Sequence, residues 1–216
     1  MSNYNSFLFK AVIFDAFIMF QFYKMFMSGE TDFDFCVFQN TIGKYTLCIF
    51  YGFISIISDS SLLRQTWSEM SFIRLGTRKK WIFKMLNSIF SVQAKTVVIA
   101  FALIILNSVL FRINIFFSVK ILFYFTAMFL YLAVLNTVIM LAMAVVRKPE
   151  IAIGIGVVFN FAVLTAGHKI FYISIYYKEF SAVMLLLLIL LIAVTSRIMN
   201  TRDIYTSKNA SYIFEK

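Results

Sequence analysis

The side chains able to carry out chemistry are few and widely spaced. The chain has one histidine, His168, so neither HExxH nor any other multi-histidine zinc site can form. His168 stands beside Lys169 at the end of an apolar run, the position of an interfacial residue rather than of a catalyst. No GxSxG supplies a serine nucleophile on a sharp strand-to-helix turn. Asp15 is the acidic residue deep within an apolar run, and no second carboxylate on a neighbouring turn completes an intramembrane aspartyl protease. Cys36 and Cys48 are too few for a disulfide framework, and Cys48 lies in apolar sequence, where a thiol behaves as a small hydrophobe. These residues predict no catalytic residue and no metal site.

The phosphate-cradling loop GxxxxGK[ST] is also absent, so no cofactor is expected in this chain and any energy from nucleotide has to enter through another one. Gly154 and Gly156 in IGIGVVF have no third glycine and lie in apolar surroundings, which removes a dinucleotide fingerprint; the pair suits close helix packing instead, as do Ala152 and Gly156 at small-xxx-small spacing.

What remains is a handful of polar residues inside apolar sequence: Asp15 and Gln21, Asn107, Asn136 with Thr137, and Asn160. Polar groups are costly in lipid and usually face a protein interior, so Asp15, Gln21, Asn107, Asn136 and Asn160 are candidates for lining a translocation path. Hydrogen bonding between helices without any transport role is the competing explanation for each.

Helices in lipid must position these residues. Of 216 residues, 62% are hydrophobic and 14% charged, against about 45–50% and about 25% in a soluble domain. A spanning helix needs about 20 mostly apolar residues to cross roughly 30 Å of hydrocarbon. Candidate runs cover about 6–27, 41–58, 92–111, 121–146, 151–167 and 181–199. In the first, Lys10, Gln21 and Lys24 share a face at about 100° per residue, with Asp15 well away from it, and both lysines can snorkel to opposite interfaces. An interfacial helix is the alternative for this segment. One proline, seven glycines and no linker-like stretch make residues 1–216 a single transmembrane domain.

The formal charge of +10 is a topology signal. Basic residues concentrate in the stretch 59–91, with Arg64, Arg74, Arg78, Lys79, Lys80 and Lys84, at Arg147 and Lys148, and in the tail from Arg197. Glu30, Asp32 and Asp34 lie in an alternating connection that has no basic residue before Lys44. The basic side is cytoplasmic, so the expected fold is an all-α bundle of about six transmembrane helices with both termini inside. The same assignment explains the net charge without nucleic acid as a partner. Tyr4, Trp81, Tyr124, Tyr131, Tyr172, Tyr176 and Tyr177 include several residues expected near the lipid interfaces.

The basic stretch contains Leu63, Trp67 and Met70 at helical spacing ahead of Gly76, then Trp81, Met85 and Ile89. Its core, MSFIRLGTRKKWIFKML, followed by an apolar span, resembles the first cytoplasmic loop of ABC type-2 transporter permeases of low-GC Gram-positive bacteria, over residues 55–105. The resemblance implies a permease subunit in a bacterial cytoplasmic membrane that pairs with a second permease and with cytosolic ABC ATPase subunits, which hold the ATP and magnesium. It implies export of an amphipathic peptide, lipid-like molecule or drug. It also implies a coupling helix near 65–75 with Trp67, Glu69, Met70, Phe72, Ile73 and Arg74 as docking residues, and a short outer re-entrant element near HKIFYISIYYKEF. A membrane-surface helix held by anionic lipid is the alternative for 65–75. A non-transporting immunity or sensor-partner protein is the alternative for the whole chain.

Overall fold

The computed structural model describes residues 2–29, 32–43, 46–66, 78–146, 148–170 and 177–201. The expected docking residues Trp67 to Arg74, and residues 171–176 of the expected outer re-entrant element, lie outside them. Among the described residues the chain is helical, without strands. Helix α1 covers Ser2–Met27 and α2 covers Phe33–Thr41. A π-helical stretch, Thr46–Gly52, continues into α3, Phe53–Thr66. Then follow α4 (Arg78–Leu110), α5 (Val119–Val146), α6 (Pro149–Ile170) and α7 (Tyr177–Thr201).

Helix ends carry recognisable stops and starts. Asp32 caps α2, its carboxylate accepting the Asp34 N–H at 3.1 Å. Pro149 opens α6, where its missing N–H leaves no helical bond unmade, and Glu150 follows in the first turn, where the helix dipole favours an acid. After α4, Arg112 turns the chain with a φ of 56°.

Helix α5 is the axis of the bundle. It is apolar on every side, and every residue from Leu130 to Thr137 is buried, which leaves no lipid-facing stripe over those two turns. It packs most extensively on α7, then on α6 and α4, and also meets α2 and α3. Helix α4 buries Ile89, Gln93, Thr96, Ala100, Ile104 and Asn107 along a single helical stripe, while Val98, Leu106, Val109 and Leu110 are exposed. Helix α1 lies against α4, α2 and α3 through Lys10, Phe14, Ile18, Phe22 and Met25. Its other face exposes Val12, Met19 and Phe20.

Among the described residues, three helices are long and apolar enough to cross a membrane: α4 over Lys80–Leu110, α5, and α7 over Lys178–Met199. The α2 and α3 pair would make a fourth if counted as one span, bent by 51°. Over Pro149–Thr165, α6 is a shorter apolar helix. The chain is accordingly an all-helical membrane protein.

Several sequence expectations shift. Residues 41–58 do not form one straight helix, because α2 ends at Thr41 and the π-helical stretch begins a new direction. The basic stretch 59–91 is helical over 59–66 and 78–91, since the apolar stripe of α4 extends back through Met85 and Trp81. Trp81, Tyr124 and Tyr131 are buried inside the bundle rather than at its lipid interface. Lys10 does not snorkel: it is 4% exposed and faces inward.

Candidate functional site

Helices α1, α3, α4 and α5 converge on the carboxylate of Asp59, itself 4% exposed. Lys10 Nζ lies 2.6 Å from Asp59 Oδ1, a buried ion pair between α1 and α3. Ser55, one turn before Asp59, donates its hydroxyl to Asp59 Oδ2 at 2.7 Å. Gln93 Nε2 of α4 donates to the same oxygen at 2.8 Å. Asn136 Nδ2 of α5 donates to Ser55 Oγ at 3.0 Å and approaches Asp59 Oδ2 at 3.5 Å. Ser58 Oγ lies 3.2 Å from Asp59 Oδ1 and also meets the Ile54 carbonyl at 2.6 Å.

Helical periodicity explains the convergence. Ser55 and Asp59 are four residues apart on one face of α3, and Lys10 lies on the inward stripe that continues with Phe14 and Ile18. In hydrocarbon an unpaired ammonium or carboxylate is expensive, so each charge needs the other and the remaining lone pairs need donors. The carboxylate is amply supplied. The amide oxygens are not: Gln93 Oε1 and Asn136 Oδ1 are buried and have no hydrogen-bond partner.

A second polar joint links α5, α6 and the π-helical stretch. Tyr131 donates its hydroxyl to Asn160 Oδ1. Asn160 Nδ2 donates to the Cys48 carbonyl at 2.9 Å, reaching backbone in the irregular helix. Gly52 makes that approach possible, because a Cβ there would stand 2.5 Å from Asn160 Oδ1. A third contact joins α1 to α4, where Asn107 Nδ2 donates to Asp15 Oδ1 at 3.3 Å and to the Leu103 carbonyl at 2.9 Å.

The five polar residues singled out in the sequence are therefore divided among three places. Asn136 belongs to the Asp59 cluster, Asn160 to the π-helix joint, and Asp15 with Asn107 to the α1–α4 contact. Gln21 is half-buried on α1, apart from all three. Lys10 reads in the sequence as an interfacial residue, and Ser55, Asp59 and Gln93 are not among the candidates, although Gln93 interrupts an apolar stripe and that break in period is a readable signal. Among the described residues no three His, Cys, Asp or Glu side chains gather as a metal-holding group.

No protein-family model, curated protein or solved structure matches the chain.

Proposed function

We propose that the chain is the permease subunit of an ATP-driven exporter in a bacterial cytoplasmic membrane, with α1, the bent α2–α3 pair, α4, α5, α6 and α7 as six membrane crossings and both termini inside. It pairs with a second permease and takes its energy from cytosolic ABC ATPase subunits, which hold the ATP and magnesium. The exported molecule is amphipathic: a peptide, a lipid-like compound or a drug.

One observation carries this reading beyond sequence resemblance. The segment 67–77 is rooted in α3 and α4, and those two helices are tied to each other by Asp59 with Gln93 and to the central helix by Ser55 with Asn136. A push on 67–77 then reaches α5 through stiff helices and buried hydrogen bonds, as a rigid-body displacement. A cytosolic ATPase that grips Trp67, Glu69, Met70, Phe72, Ile73 and Arg74 would have such a lever to move.

Purification of the full chain from its native membrane in mild detergent tests the proposal. The expected result is recovery of a second chain carrying GxxxxGK[ST], lost with Ile73→Asp or Glu69→Arg while the yield of this chain is unchanged. Recovery without any P-loop chain, or retention of that chain by both variants, overturns the coupling role and favours a non-transporting immunity or sensor-partner protein.

A further inference from the structure

We propose that the outward face of α4 between Lys84 and Lys95 binds the phosphate headgroup of a phospholipid with net negative charge, held below the level of the surrounding headgroups.

Lys84, Asn87, Ser91 and Lys95 are exposed along one side of α4. At about 100° per residue, Lys84 and Lys95 stand about 180° and about 200° from the buried Gln93, so this stripe looks away from the bundle. Among the described residues neither lysine has an ion-pair partner. After Lys95 the same side turns apolar, with Val98, Ala102, Leu106 and Val109 exposed. The outward faces of α6 and α7 differ: they carry Ile151, Ile155 and Val158, and Val183, Leu186 and Leu190.

The apolar part of the α4 face is too short for a bilayer. Arg112 turns the chain after α4, which sets the end of the hydrocarbon near Leu110. Val98 to Leu110 covers about 18 Å at about 1.5 Å per residue, against roughly 30 Å of hydrocarbon. About 12 Å of that thickness has to meet the polar part of the face, and the Lys95 backbone stands about 8 Å inside it. An exposed ammonium at that depth is unfavourable without a counter-charge.

Chemistry and depth narrow the occupant. Lys95 leans toward the N-terminus of its helix, and Ser91 is four residues, about 6 Å, in that direction. The Lys95 ammonium, the Ser91 hydroxyl and the Asn87 amide are then donors on one face within reach of phosphate oxygens. Lys84 adds a second positive charge, and α4 contains no acidic residue, which favours a lipid of net negative charge over a zwitterionic one. Its acyl chains would lie along Val98 to Val109, about 16 Å and so about half of the hydrocarbon thickness. A second copy of the chain is the poorer occupant. Among the described residues the acid near that depth is Asp59, which is buried and paired with Lys10. Asp15 is bonded to Asn107, twelve residues and about 18 Å along α4 from Lys95. The site requires α4 to cross the bilayer but no ATPase, so it can fail while the exporter reading stands.

The experiment titrates the full chain, purified in detergent, with phosphatidylglycerol and with phosphatidylcholine of the same acyl chains, and quantifies the first bound lipid by native mass spectrometry. Phosphatidylglycerol is expected to bind about tenfold more tightly or better. Lys95→Gln is expected to weaken it about fivefold, the effect of one surface charge. Lys84→Gln/Lys95→Gln is expected to bring the two lipids within about twofold of each other, whereas Lys95→Arg keeps the preference. Ser91→Ala, which leaves every charge in place, is expected to weaken phosphatidylglycerol about threefold through a lost hydrogen bond. Lys148→Gln removes an exposed charge ahead of α6 and is expected to change nothing. Equal binding of both lipids by the native chain overturns the proposal, as does an undiminished preference in Lys84→Gln/Lys95→Gln. An equal loss in Lys148→Gln would reduce the preference to net charge and overturn it too. So would native lipid binding by the double variant together with conversion of a dimer to a monomer in light scattering, which would give this face to a protein.

Discussion

At the scale of single residues, the two glycines on either side of Ile155 have opposite surroundings. Gly156 lies against α5, where an added Cβ would stand 2.5 Å from Ile139 Cγ1, whereas a Cβ on Gly154 meets nothing within 4 Å. Gly156→Ala is expected to destabilise the bundle by roughly 1–3 kcal/mol through overpacking. Gly154→Ala is expected to be neutral or stabilising by about 0.5–1 kcal/mol, because alanine restricts the unfolded backbone and favours helix. Thermal unfolding of both variants in one detergent makes the comparison, and equal effects would contradict the α5–α6 contact. The packing face was legible in the sequence, because small residues four apart, Ala152 and Gly156, mark it, although Gly154 reads as a packing position too and meets nothing. The partner was not: no local pattern says that the face meets Ile139. The same holds for Asn160, whose polarity in an apolar run announced a buried bond but whose acceptor, the Cys48 carbonyl, is separated from it by 112 positions in a helix of unusual pitch.

At the scale of elements, α1 is the helix most dependent on its neighbours. Its lysine and aspartate stand where lipid offers no partner, and it is not among the helices that qualify as spans on length and apolarity alone. Its Lys10 is neutralised by Asp59 of α3, and its Asp15 receives an N–H from Asn107 of α4. Asp59→Asn is therefore expected to cost roughly 3–5 kcal/mol, since it strands a buried ammonium. The double variant Lys10→Met/Asp59→Asn is expected to return to within about 1 kcal/mol of the native chain, because the asparagine oxygen can still accept from Ser55 and Gln93. A double-mutant cycle on unfolding in detergent measures this, and additive losses would mean that the ion pair does not hold α1. The sequence concealed this arrangement for a definable reason. SDSSLLRQT reads as polar, so the apolar run appears to end at Ser58, yet α3 continues to Thr66 and turns Asp59 inward one turn beyond Ser55. A charge at the boundary of an apolar run can be solvated or paired, and composition alone does not distinguish the two.

For the whole molecule, the decisive property is which connections share a side of the membrane. The apolar lengths of α4, α5 and α7 were readable directly, because runs of aliphatic residues with few charges can be stable only in lipid or in a large core. Their arrangement comes from contacts. Ser118, in the link between α4 and α5, donates its hydroxyl to Asp34 Oδ1 at 2.7 Å, and Phe117 meets Phe33 edge to face with centroids 6.0 Å apart. The α4–α5 link therefore lies at the same end of the bundle as the start of α2. Helix α4 has 33 residues, about 50 Å at about 1.5 Å per residue, which exceeds the roughly 30 Å of hydrocarbon. A crossing by α4 would put Lys80 and Asn114, both exposed, on opposite faces of the membrane. The proposed topology puts the end with Arg78, Lys79 and Lys80 in the cytoplasm, following the positive-inside rule. Single cysteines test this cleanly, because the two native ones, Cys36 and Cys48, are buried. In intact cells a membrane-impermeant maleimide is expected to label Asn114→Cys and to spare Lys80→Cys until the membrane is opened. Labelling of both from outside would remove the membrane crossing by α4, and the reverse pattern would put residues 67–77 beyond the reach of any cytosolic ATPase.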